Sequence, residues 1–290
     1  MSNKPFKQSD LSFAVGPKFQ TVWGLREAIV FMLEGVGVSS FFWFAFSDNV
    51  MGMACALTAV GVAVALLLSH LGRPSVAWRA ITNIRRSWIS RGTAAIGLFF
   101  VLAATHIGSL VIPGVEFIQI LSSPLLLMLF VAGIFILLYP GFAMRASAGI
   151  AFWLNPNHLS LSFLNGFSSG MIVYLAVASA IQPQETVGLM GDLCTILLLV
   201  TVISTLILTH QSLQRDGAAA LSMRTLIRHE PVLFWLLALG LGLVAPLIII
   251  GFDIAGPGSI ALALVAVGRI IGDIAFRYAI LKVGAFESVL

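Results

Sequence analysis

Apolar residues run in eight stretches, near 25–47, 50–70, 90–111, 118–140, 162–182, 187–209, 231–252 and 258–281, separated by short polar connections. A helix needs about 20 consecutive apolar residues to cross a hydrocarbon core roughly 30 Å thick, and each stretch reaches that length. Strand-like alternation is absent, which argues against a β-barrel. The pattern predicts an all-α integral membrane fold with eight transmembrane helices over 25–282, grouped as two four-helix bundles. A polar segment, 1–24, precedes them and a short tail, 283–290, follows.

Polar positions orient this array. Every even-numbered connection falls on the side of both termini, and that side receives all of the 16 Lys and Arg residues except Arg269. Its densest part is Ser69 to Gly92, with Arg73, Arg79, Arg85, Arg86 and Arg91 and no acid. The opposite connections carry Asp48, Glu116, Glu185 and Asp253. By the positive-inside rule the basic face, with both termini, is expected in the cytoplasm. The first 24 residues hold lysines at 4, 7 and 18 and no apolar core before a cleavage site, so the first helix is expected to direct insertion. Only 10% of residues are charged, against roughly 25% in soluble domains. The basic pI of about 9.4 therefore reflects topology, with no soluble domain to bind nucleic acid.

Candidate chemistry lies in the few polar residues near or inside the apolar runs. His70 is expected to end the second helix on the basic face, and His210 the sixth. A b-type haem needs two axial histidines on facing helices, a demand that only this pair fits. A boundary histidine also exchanges protons near neutrality, which suits a quinol site; a plain helix cap is the other reading of His70. The first helix carries Arg26, Glu27 and Glu34, with the two glutamates seven apart on one face. The last carries Arg269, Asp273 and Arg277 at steps of four. Such stripes serve either as a proton or quinone-lining path or as an ion-pair lock between helices. Tyr139 is read as an interfacial donor or as one member of an aromatic belt. Trp153 with Asn155-Pro156 predicts a re-entrant or surface turn before the fifth helix. Cys55 and Cys194 are expected as lone buried thiols; without a Cys-x-x-Cys, no iron–sulfur cluster or structural zinc is expected in this chain. No phosphate-binding, dinucleotide, zinc-protease or nucleophile-elbow motif is present.

One loop carries a family signature. His70-Leu-Gly-Arg-Pro74, then Ala77-Trp78-Arg79 and Ser87-Trp88-Ile-Ser-Arg91, resembles the helix-two-to-three loop of the membrane anchors of complex iron–sulfur molybdoenzymes, the polysulfide reductase, NrfD and DMSO reductase type. Thr21 to Val38, Tyr139-Pro-Gly141 with Phe152-Trp153 and Pro156, and Phe276 to Gly284 are similar to other parts of that family, so the resemblance spans most of the chain. His70 matches the DMSO reductase branch. Gly92 stands where that branch tends to have a glutamate, and Glu34 where the family commonly has a small residue.

The resemblance implies an eight-helix, usually haem-free subunit of a prokaryotic inner membrane. It would bind menaquinone or ubiquinone near the face where an iron–sulfur subunit docks, exchanging electrons through it with a molybdenum or tungsten catalytic subunit. Such a chain does not act on the terminal substrate itself; it is the quinone-reactive part of the oxidoreductase complex. His70, Arg73, Arg91, Tyr139 and Glu34 are then the quinone-binding candidates. Arg79, Arg85 and Arg86 are the docking residues, or else a topogenic and lipid-headgroup cluster. Glu27, Glu34, Arg269 and Asp273 form a possible proton path. Two rivals stand beside this reading: a haem-b anchor on His70 and His210, and a transporter or proton pump without redox partners, whose best helix break is Pro246.

Overall fold

In the computed structural model of the chain, residues 18–69, 74–112, 122–254 and 260–287 are described. The long helices are α1 (Leu25–Phe46), α2 (Val50–Ser69), α3 (Trp88–Val111), α4 (Ser122–Arg145), α5 (Asn157–Ala178) and α6 (Gln184–Leu213). After these come a short α7 (Ala218–His229), a π-helix (Val232–Val244) running into α8 (Ala245–Gly251), and α9 (Ile260–Lys282). Two 3-10 segments, Pro74–Asn83 and Ala151–Leu154, lie in the connections. No strand occurs among the described residues beyond one isolated bridge, Phe19 to Ala285.

Among the described residues, seven helical segments are long and apolar enough to cross a membrane, with the π-helix and α8 acting as one. The fold is therefore all-α and suited to a multi-pass membrane protein. The seven do not include α9, whose 23 residues carry Arg269, Asp273, Arg277 and Lys282.

Several boundaries depart from the hydropathy pattern for local reasons. α4 continues through Pro140 to Arg145 instead of ending at 140; a membrane helix tolerates proline where neighbours cover the freed backbone. α5 starts at Asn157, five residues before the apolar run at 162, because Asn155 Oδ1 accepts the Asn157 N–H at 3.0 Å and nucleates the turn. α7 was not expected. Its sequence is too polar for a span, yet Ala218, Met223 and Leu226 bury one face while Arg224, Arg228 and His229 stay outside. Pro246 does mark an irregularity, since it sits in the first turn of α8 where π gives way to α geometry and a missing N–H costs least.

α1 and α5 form the centre. α1 packs on α2, α4, α5 and α9; α5 also packs on α4, α6 and α9; α3 bridges α2 and α4; and the π-helix lies along α9. The turn before α5 is covered by protein. Trp153 is buried, donates Nε1–H to Ile280 O at 3.1 Å and packs on Trp23. The segments just before α1 and just after α9 pair, with Gln20 N–H on Gly284 O at 2.7 Å and Phe286 N–H on Lys18 O at 2.8 Å. The two polar flanks are thus joined to each other and to the helices. Cys194 is buried as expected, whereas Cys55 is exposed on the outer side of α2, because α2 contacts its neighbours along one narrow face only.

Candidate functional site

The stripe on α9 lies inside the bundle, against α1, α5 and the π-helix. Arg269, 1% exposed, donates Nη2–H to Asn165 O (3.0 Å), Asn165 Oδ1 (2.8 Å) and Ser168 Oγ (3.0 Å) on α5. Its Nη1 donates to Gly242 O of the π-helix at 2.9 Å, and its Nε–H has no partner. One turn on, fully buried Asp273 accepts from Arg277 Nε at 2.9 Å and Nη2 at 3.4 Å, and from Ser169 Oγ at 3.3 Å. The ion pair thus stays within α9. The ties between helices are made by Asn165, Ser168, Ser169 and a backbone carbonyl.

Small residues let the backbones close over these groups. A β-carbon at Gly272 would collide with Gly242 Cα, so α9 and the π-helix touch backbone to backbone. At the α1–α5 crossing a β-carbon at Gly35 would lie 3.0 Å from Gly166 Cα and 3.2 Å from Arg277 Nη2. The Arg277 guanidinium therefore reaches the crossing beside Glu34. Glu34 is 2% exposed, its Oε2 has no hydrogen-bond partner, and it interacts electrostatically with Arg277 and Tyr139. Glu27, expected to share its stripe, is separated from it in role: it sits at the start of α1 and accepts the Gly24 N–H at 2.6 Å as an N-terminal cap.

Tyr139 is buried, not part of an interfacial belt. Its ring meets Phe31 edge-on, with centroids 6.0 Å apart, and lies against Gly92. A β-carbon at 92 would come within 2.5 Å of that ring, so a larger residue at 92 and Tyr139 in this place exclude one another. The carboxyl near Tyr139 comes instead from Glu34 on α1.

The basic loop divides in two. Arg91, a quinone-site candidate, spends its donors on the loop: Nε on Ile84 O and Nη2 on Arg85 O, both at 2.9 Å, with its guanidinium 4.3 Å over Trp88. Trp88 in turn stacks on Phe142 at 4.3 Å, so Arg91 clamps the connection to α3 and α4. Arg79, Arg85 and Arg86 are exposed, beside exposed Trp78, Ile81 and Ile84. His70 and Arg73 lie outside the described residues. His210, the other member of the candidate haem pair, is exposed near the end of α6.

A small cavity adjoins the buried cluster, with about 20 Å³ open to a water-sized sphere. His158, Ser162, Asn165 and Arg277 line it with apolar residues of α1, α4 and α9. In the sequence His158 falls between the apolar runs at 118–140 and 162–182, and the three- and four-residue spacing of Asn165, Ser168 and Ser169 within Ser162 to Gly170 is the available signal for the others. No protein-family model matches the chain, and a search of curated proteins found no match.

Proposed function

We propose that this chain is the quinone-reactive membrane anchor of a multi-subunit molybdenum or tungsten oxidoreductase. The observation that carries the reading is the meeting of Gly92, Tyr139 and Glu34. The end of the family-like loop, the family-like Tyr-Pro-Gly and a buried carboxyl converge from three helices. Tyr139 lies six residues from the end of α4, about 9 Å below it, a depth suited to a quinone head group at the membrane boundary. Glu34 Oε2, buried without a partner, and the Tyr139 hydroxyl supply an acceptor and a donor for ring oxygens or their protons. The small cavity lined by His158, Ser162, Asn165 and Arg277 has no room for a ring, so the head group would not sit there. Quinone supplies two-electron redox chemistry; the chain's part is to orient the ring and handle its protons.

Exposed Arg79, Arg85 and Arg86 then meet acids of the iron–sulfur partner. α9 is the eighth span, about 34 Å long for its 23 residues, and its charges are tolerated because they face α1 and α5. α1–α4 form one four-helix group and α5–α9, with the π-helix, the other. The basic face is cytoplasmic and carries the catalytic subunits. A second reading, a proton-translocating transporter, is favoured by one feature, the π-helix whose Gly242 carbonyl is held by Arg269. Mass identification of co-purifying subunits separates the two: the anchor brings an iron–sulfur and a molybdopterin-type subunit. In that complex His70→Ala and Tyr139→Phe should each lower quinone-coupled turnover; wild-type rates in both would remove the site from the mechanism.

A further inference from the structure

The connection between α2 and α3 presents large apolar side chains outward. Trp78, Ile81 and Ile84 are 61%, 42% and 43% exposed. Residues three apart in a 3-10 helix lie on one side, so Trp78 and Ile81 share a face of Pro74–Asn83, and Ile84 follows at the same spacing in the turn beyond. Arg79, Thr82 and Arg85 repeat that spacing one residue later, so an exposed polar ridge runs beside the apolar one. Arg79 holds its guanidinium 5.7 Å from the Trp78 ring centre, Arg86 is exposed next to Arg85, and Ser69 to Gly92 contains no acid. The ridge is also fixed in height. α2 ends at Ser69 and α3 starts at Trp88, both being long and apolar enough to cross a membrane. Arg91, in the first turn of α3, holds Ile84 O and Arg85 O at 2.9 Å each. Ile84 is therefore pinned within about one helical turn, roughly 5 Å, of the start of a span.

We propose that the ridge of Trp78, Ile81 and Ile84 docks on the surface of the surrounding bilayer, with anionic phospholipid as its partner. A contiguous exposed apolar patch marks a protein or a membrane contact. Three features select the membrane: the patch lies at the height of a span boundary, its largest member is a tryptophan, and its flank is cationic without a single acid. Tryptophan favours the headgroup level, apolar neighbours enter the acyl boundary, and arginines keep their charged ends at the lipid phosphates. Ile89, 51% exposed in the first turn of α3, carries the apolar surface on from the ridge into the span. The inference does not rest on the anchor function, since it concerns the surface that the chain alone presents to lipid. In a complex the arginines exchange phosphates for acids of the partner while the ridge stays in lipid, so the loop is already held flat when a subunit arrives.

Collision accessibility of nitroxide labels on the full chain in lipid nanodiscs tests it, in a Cys55→Ala background because Cys194 is buried. Labels at Trp78→Cys, Ile81→Cys and Ile84→Cys should meet oxygen, which concentrates in lipid, and be shielded from an aqueous nickel chelate. A label at Thr82→Cys, on the polar ridge, should show the reverse. A second measurement needs no label: the fluorescence difference between the parent and Trp78→Phe isolates Trp78. Its quenching should report a local enrichment of brominated phosphatidylglycerol over brominated phosphatidylcholine of about fivefold or more at equal mole fraction. Combining Arg79→Gln, Arg85→Gln and Arg86→Gln should abolish that preference. Chelate access at 78, 81 and 84 would overturn the proposal and make the ridge a surface for a protein partner. Equal quenching by the two lipids, or a preference that survives the triple variant, would overturn the choice of an anionic surface.

Discussion

Asp273 is the residue whose loss should matter most to stability. It is fully buried and accepts from Arg277 Nε at 2.9 Å and from Ser169 Oγ at 3.3 Å. Asp273→Ala would leave Arg277 buried beside Arg269, with Glu34 as the remaining acid in the cluster. Removing one partner of a buried pair costs about 3–5 kcal/mol, because the other charge stays desolvated. The lost Ser169 hydrogen bond adds about 0.6 kcal/mol, a typical value inside membranes. Replacing both partners with apolar residues is often nearly neutral. The double variant Asp273→Ala with Arg277→Met should therefore lie within about 1–2 kcal/mol of the parent, despite carrying two substitutions. Reversible SDS unfolding in bicelles, followed by tryptophan fluorescence, measures all members of the cycle. A double variant as unstable as the sum of the singles would refute the reasoning, since the cost would then arise from lost packing.

Other substitutions separate close packing from surface charge. Gly92→Ala should destabilise by about 1–3 kcal/mol, because its β-carbon would meet the Tyr139 ring; the same unfolding assay should find part of the loss recovered by adding Tyr139→Leu. Arg91→Lys loses the planar fork that holds Ile84 O and Arg85 O, so limited proteolysis between 79 and 91 should quicken while global unfolding changes by less than about 1 kcal/mol. Lys282→Ala, despite its 2.6 Å contact with Glu230, should cost no more than about 1 kcal/mol, because the pair is solvent-screened.

Hydropathy located the long apolar helices, seven of which among the described residues are apolar enough to cross a membrane, and α1 and α2 end within one residue of their runs. It failed where polarity is internal. Asn155, Pro156, Asn157 and His158 read as a loop, yet Asn155 and His158 are 1% exposed and open α5. α7 was missed because three alanines and an amphipathic turn lack a span's hydropathy. The charges of α9 were legible at i, i+4 spacing, but their partners on α5 are small, common residues whose importance comes from facing Arg269. Arg91 and Arg86 look alike in sequence; one clamps backbone carbonyls and the other is exposed, a difference fixed by how the chain folds after Asn83.

Glu34 decides whether the buried cluster is a lock or a path. Arg269 and Arg277 carry two positive charges against Asp273 and Glu34, so the cluster is neutral only when Glu34 is ionised. Yet the ion pairs among the described residues are Arg277–Asp273 and Lys282–Glu230, and Glu34 Oε2 has no hydrogen bond. Oε2 makes no hydrogen bond to be lost, so Glu34→Gln should assemble and unfold within about 1 kcal/mol of the parent. Glu34→Leu, which also removes a desolvated carboxyl, should be at least as stable. If Glu34 is instead the counter-ion that holds α1 to α9, both variants should fail to assemble, and the cluster would be a lock. Stable variants that lose quinone-coupled turnover rule out a lock and fit a carboxyl kept for the quinone, as acceptor or as proton carrier.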